Sequence, residues 1–123
     1  MNWKKETVEL KKRRLLAKKQ GGDKAIDLQH AKGRLTLRER IDLLLDEGSF
    51  QEQGEIAGGS ETNEKGEIES LTPANFILGF GKISGKQVVV GGEDFTVKGG
   101  SPNSAGLRKS VYTEELALKY KVP

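Results

Sequence analysis

The chain has 123 residues, of which 34% are hydrophobic and 32% charged, enough for one domain around one modest core with little apolar reserve. It contains no cysteine, which excludes disulfides, thiolate metal sites and a cysteine nucleophile. No apolar run reaches the roughly 18 residues of a membrane span, and residues 1–20 lack the apolar core of a secretory signal, so the cytoplasm is the default location. The net charge of +3 hides an asymmetry: residues 1–40 hold 13 Lys/Arg against 5 Asp/Glu, and residues 41–123 hold 8 against 13. A basic arm on an acidic body reads either as a solvated helix packed on an acidic neighbour or as a surface for nucleic acid. Trp3 is the only aromatic among residues 1–40, too little for base stacking, so any nucleic-acid binding should be weak and unspecific.

In chain order, residues 3–19 read as a helix with a narrow stripe of Trp3, Leu10 and Ala17, with Val8 and Leu15 beside it, suited to lying on another surface. Gly21-Gly22 ends it. A short helix follows from Asp23 to Ala31, contacting through Ala25, Ile26 and Leu28. The strongest local signal comes next. Thr36 and Glu39 have the T-x-x-E spacing of a capping box. Leu37, Ile41, Leu44 and Leu45 fall at i, i+4, i+7 and i+8, one apolar stripe on the helical period. This predicts a helix over 37–46, with Gly48 as its left-handed C-terminal residue.

From Gln51 to Ser70 the chain is polar, centred on GGSETNEKGE, and reads as an exposed loop. Residues 76–83, FILGFGKI, read as a strand covered on both faces. Ser84-Gly85 is the turn and KQVVVGG at 86–92 the returning strand. A β-bulge is expected at Gly91-Gly92, and Asp94 to Val97 as a third short strand or the end of the second. A last helix runs from about Pro102 to Tyr120, with Ser101 as N-cap, Pro102 at the first helical position, and Leu107, Val111, Ala117 and Leu118 facing inward. The division is thus a helical arm at 1–48, an exposed loop at 49–75 and the start of a β/α core at 76–123.

Side-chain chemistry is sparse. His30 is the single histidine and has no nucleophile in a recognisable setting; it reads as structural. Glu93 and Asp94 are adjacent in an extended segment and would point to opposite faces. No metal-ligand cluster occurs. Neither a catalytic side chain nor a metal ligand is assigned. The best candidate is backbone: Asp94 to Ser101, DFTVKGGS, reads as strand, diglycine and helix start. Glycines let main-chain N–H groups approach a ligand, and a following helix adds its positive end. Such a turn can hold an anion or a developing oxyanion, although the same pattern also serves as a plain corner in many α/β folds.

Taken together, HAKGRLTLRERIDLLLDEGSF at 30–50, TPANF at 72–76 and DFTVKGGS at 94–101 resemble, in order, the N-terminal signatures of the carboxyltransferase (beta) subunits of biotin-dependent acyl-CoA carboxylases, the branch with propionyl-CoA and acetyl-CoA carboxylases. Leu28 departs from the basic residue common before the Gln-His pair. The resemblance implies an α/β, crotonase-like fold, incomplete here, and transfer of a carboxyl group from carboxybiotin to an acyl-CoA. It implies backbone oxyanion holes, an acyl-CoA surface at Phe95, Thr96, Val97, Gly99, Gly100 and Ser101, and partners in a biotin carboxylase/biotin carrier subunit and further copies of the subunit. Family subunits are several times longer, so the chain reads as an N-terminal piece, inactive in carboxyl transfer by itself. The alternative is a non-catalytic interaction module whose basic helix binds a protein or RNA. An unrelated CoA- or nucleotide-binding enzyme built on the Gly99-Gly100 turn is a third reading.

Overall fold

The computed structural model describes residues 2–101 and 103–123. Three helices come first, α1 (Lys4–Lys18), α2 (Asp23–Ala31) and α3 (Leu37–Leu44); strands β1 (Gln51–Glu52), β2 (Gly58–Thr62), β3 (Ile68–Pro73), β4 (Phe76–Ile83) and β5 (Lys86–Glu93) follow, and α4 (Ser104–Tyr120) closes the chain. The strands form two antiparallel sheets, β1-β4-β5 and β2-β3.

The larger sheet is the centre of three layers. Successive residues of a strand face opposite sides. On one face Ile77 and Val88 meet Ile41 and Leu45 of the α3 region, with Leu37, Phe50 and Val90 around them. On the other face α4 lies across β4 and β5, its Tyr120 ring edge-on to Phe80 at 5.0 Å. The smaller sheet carries α1: Lys12 Nζ donates to the Ile68 carbonyl at 2.8 Å, and Arg14 pairs with Glu55 at 2.8 Å. The basic helix therefore lies on its own chain. Its inner side is Leu10, Leu16 and buried Ala17, while Trp3, Val8 and Leu15 face outward.

The capping box forms as the sequence predicts. Glu39 N–H donates to Thr36 Oγ1 at 3.3 Å and Thr36 N–H donates to Glu39 Oε2 at 2.8 Å. His30 Nε2 sits 2.8 Å from Glu39 Oε1, a structural role for that residue. The helix is shorter than the stripe implied. It stops at Leu44, and Leu45 is extended, so Leu45 swings into the core and Leu44 faces solvent. Gly48 keeps a positive φ, but in the turn after the helix. The Ser84-Gly85 turn also forms, with both residues at positive φ; the Asp46 carboxylate accepts from Ser84 N–H at 2.9 Å and Gly85 N–H at 2.8 Å.

Several expectations are corrected. Residues 51–70 are not a loop: β2 and β3 pair as a hairpin, in register from Gly58↔Pro73 to Glu61↔Ser70 and shifted at Thr62. Asn63 Oδ1 accepts from Lys65 and Glu67 N–H, both at 2.9 Å, so a polar turn ties two strands that have no apolar alternation to advertise them. No bulge occurs at Gly91-Gly92, where the β4–β5 register is unbroken. These glycines make room instead: a Cβ on Gly91 would lie 2.8 Å from Thr113 of α4, and one on Gly92 would lie 2.7 Å from Leu37. Asp94–Val97 is a turn rather than a strand.

The last helix starts later than expected. Asn103, not Ser101, is the N-cap, its side chain accepting from Gly106 N–H at 2.7 Å; the expected first helical position, Pro102, lies outside the described residues. The helix is also turned from the expected face. Leu107, Val111 and Leu118 are 62%, 52% and 80% exposed, while Gly106, Lys109 and Leu116 are buried. Lys109 is held inward because its Nζ donates to the Phe76 carbonyl at 3.1 Å. That carbonyl lies beyond the end of β1 and has no strand to receive it. Burial pushes the Lys109 ammonium below the usual lysine range, an effect that Glu52 opposes.

Thr36→Ala should cost about 1 kcal/mol in urea unfolding, and Ile41→Ala about 2–5 kcal/mol. The Thr36 backbone bond holds the Glu39 carboxyl below its ordinary value of 4.5. Its contribution is therefore complete above that pH and lost as pH falls through the lowered value. Glu39→Gln should remove this component of acid unfolding.

Candidate functional site

The turn after β5 is built by a buried carboxylate. Asp94, 1% exposed, leaves the sheet with its N–H donating to the Asn75 carbonyl at 2.8 Å. Its Oδ1 then accepts from Thr96 N–H at 2.9 Å and Thr96 Oγ1 at 2.6 Å. Thr96 Oγ1 in turn accepts from Gly21 N–H at 3.0 Å. The corner between α1 and α2 is thereby fastened to the turn. Only glycine fits at that corner, since any Cβ on Gly21 would overlap the Thr96 carbonyl. At the far end, Asn75 Nδ2 donates to the Ser101 carbonyl.

Lys98, Gly99 and Gly100 make a single tight left-handed turn, all at positive φ. The glycines do not present a continuous row of donors. Gly100 N–H is spent on the Val97 carbonyl at 3.0 Å and Ser101 N–H on the Lys98 carbonyl at 3.1 Å. Lys98 and Gly99 N–H make no such backbone bond among the described residues, and both residues are exposed. The six expected residues accordingly divide. Phe95, Gly99 and Ser101 are exposed, Gly100 is half-buried, and Thr96 and Val97 are buried and hold the turn from beneath. The helix expected from about residue 102 begins two residues later, at Ser104.

Phe95 joins this turn to a second feature. Its ring packs over Gly100, where a Cβ would come within 2.5 Å of it. The same residue lines a cleft of about 450 Å³ with Arg34, Leu35, Arg40 and Glu93. The two arginines lie within the 30–50 signature but are assigned no role there. Sequence spacing could not place them beside Phe95, about sixty residues away along the chain; only the packing of α3 against β5 does so.

The family profile described as the carboxyl transferase domain matches residues 28–123, a span that contains the capped helix, the cleft and the whole turn. The chain belongs to the carboxyl transferase domain family. It is 38% identical over 115 residues to the propionyl-CoA carboxylase beta chain of Roseobacter denitrificans, covering 94% of this chain and 22% of that one. It is 35% identical over 119 residues to the methylmalonyl-CoA decarboxylase subunit alpha of Veillonella parvula, covering 96% and 23%. Among solved structures it superposes on transcarboxylase 12S, described with methylmalonyl-coenzyme A and methylmalonic acid bound, with a TM-score of 0.80 at 33% identity, over 98% of this chain and 24% of that chain. The expected crotonase-like carboxyltransferase fold is thus the fold found, and the chain spans between a fifth and a quarter of the length of these relatives. Among the described residues no helix is long and apolar enough to cross a membrane.

Gly21→Ala should destabilise the chain by about 1–3 kcal/mol and shift the amide resonances of residues 94–101. Gly59→Ala is the reference. A Cβ there meets nothing within 4 Å, and its effect should stay within about 0.5 kcal/mol.

Proposed function

We propose that the chain forms part of the acyl-CoA site of a biotin-dependent carboxyltransferase, which moves a carboxyl group from carboxybiotin to an acyl-CoA. The observation that carries this reading is the pair of open main-chain donors, Lys98 N–H and Gly99 N–H, beside exposed Phe95 on a turn pinned from two sides. Main-chain donors held rigid before a ligand arrives stabilise anionic oxygen without reorganising. The reading is supported by the kinds of relative the chain has, since propionyl-CoA carboxylase and methylmalonyl-CoA decarboxylase both take their names from CoA thioesters.

In this reading Phe95, Gly99 and Ser101 face acyl-CoA and Gly100 shapes the turn. Thr96 and Val97 contribute indirectly, by positioning it. Carboxybiotin, carried by a partner, supplies the carboxyl group; no residue of this chain is assigned to it. The partners are a biotin carboxylase or biotin carrier subunit and further copies of the carboxyltransferase, as the hexamer assembly described for transcarboxylase 12S suggests.

Propionyl-CoA titrated into the purified chain should shift the amide resonances of Lys98 and Gly99. Free biotin should not. Gly99 sits at φ 61 with nothing within 4 Å of an added Cβ, so Gly99→Ala perturbs the backbone without a clash, at about 1–2 kcal/mol of strain. It should weaken propionyl-CoA binding several-fold while circular dichroism stays unchanged. Unaltered affinity in that folded variant would remove the turn from the site.

A further inference from the structure

A cavity of about 440 Å³ opens between the first half of α4 and the segment that joins β1 to β2, within the size range of small-ligand pockets. It shares no residue with the turn at 95–101. Leu78, Ala57, Ala105 and Tyr112 give it an apolar side, and Arg108 and Lys109 give it a basic one. Lys109 is 8% exposed. Its side chain runs along Gly54, where an added Cβ would lie 3.4 Å from Lys109 Cε. The ammonium has three donors. The Phe76 carbonyl takes one, and no other acceptor meets Lys109 among the described residues.

The charges around this lysine do not balance. Glu52, Arg38 and Glu55 lie near enough to act on it. Both carboxylates are already engaged: Arg38 forks onto the two oxygens of Glu52, and Arg14 pairs with Glu55 at 2.8 Å. Three cations thus share two anions, and Lys109 is the cation left over. Arg108, at the mouth of the same cavity, forms no ion pair among the described residues either. A buried cation without a counterion is costly, and burial accordingly holds Lys109 below the usual lysine range. We propose that this cavity binds a small organic monocarboxylate, its carboxylate between Lys109 and Arg108 and its short apolar tail against Leu78, Ala57 and the Tyr112 ring. The carboxylate supplies the missing anion and accepts the unused Lys109 donors. The apolar side favours an organic acid over an inorganic anion, because a hydrated ion would leave that surface without a partner.

Titrations followed by amide resonances compare butyrate, butyramide and inorganic phosphate on the unaltered chain and on Arg108→Gln, Ala105→Leu and Lys109→Met. Butyrate should shift the resonances of residues 53–57 and 104–112 and saturate. Butyramide has the same shape without the charge and should bind about tenfold more weakly. Arg108→Gln should weaken butyrate several-fold. Ala105→Leu fills the cavity and should abolish the shifts while circular dichroism stays unchanged. Lys109→Met also takes the donor from the Phe76 carbonyl; where it folds it should abolish binding, and where it does not the other two variants decide. Equal affinity for butyrate and butyramide would overturn the carboxylate assignment. Phosphate binding as tightly as butyrate would reduce the cavity to a general anion site and overturn the organic ligand. Butyrate binding that survives both Arg108→Gln and Ala105→Leu, or a folded chain that shows no saturable shift, would overturn the site itself.

Discussion

Asp94 ends the sheet and begins the turn in one residue. Its N–H completes the ladder by bonding to Asn75, and its carboxylate bends the chain by accepting twice from Thr96. A carboxylate this deeply buried is costly unless hydrogen-bonded, so the turn keeps its shape as long as those donors stay in place. The Gly21 contact extends the constraint to the helices. The position of α1 and α2, the path of residues 95–101 and the exposure of the Lys98 and Gly99 amides are therefore one arrangement.

The same dependence explains why strand glycines matter. The β1-β4-β5 sheet is packed on both faces, and helices can reach it closely only where side chains are small. Gly91 admits α4 and Gly92 admits Leu37. The approach of α3 then places Arg34 and Arg40 across from Phe95, and the approach of α4 brings Lys109 to the unpaired Phe76 carbonyl. Close packing at two glycines thus sets where the charged side chains lie.

Legibility in the sequence followed the range of the interaction. The capping box spans three residues and the Ser84-Gly85 turn two, and both formed as read. The β2-β3 hairpin was missed because its strands, exposed along most of their length, lack a two-residue apolar period. Asn63 and Gly66, which do mark a turn, were its one available signal. The inner face of α4 was misread because Leu107, Val111 and Leu118 form a helical stripe. A stripe shows that a surface is apolar, not that the adjoining sheet is what it meets, and the face on the sheet is made of Gly106, Lys109 and Leu116.

By itself the sequence determined the capped helix, the central hairpin, the final helix and the family signature at 94–101, because each depends on bonds or periodicities within a few residues. Tertiary structure alone decided which amides of that signature are open, which of its side chains are buried, and that Arg34 and Arg40 share a cleft with Phe95. Those outcomes depend on contacts between residues far apart in the chain, Gly21 with Thr96 and Leu37 with Gly92, and nothing in local spacing encodes the distance between two elements once they pack.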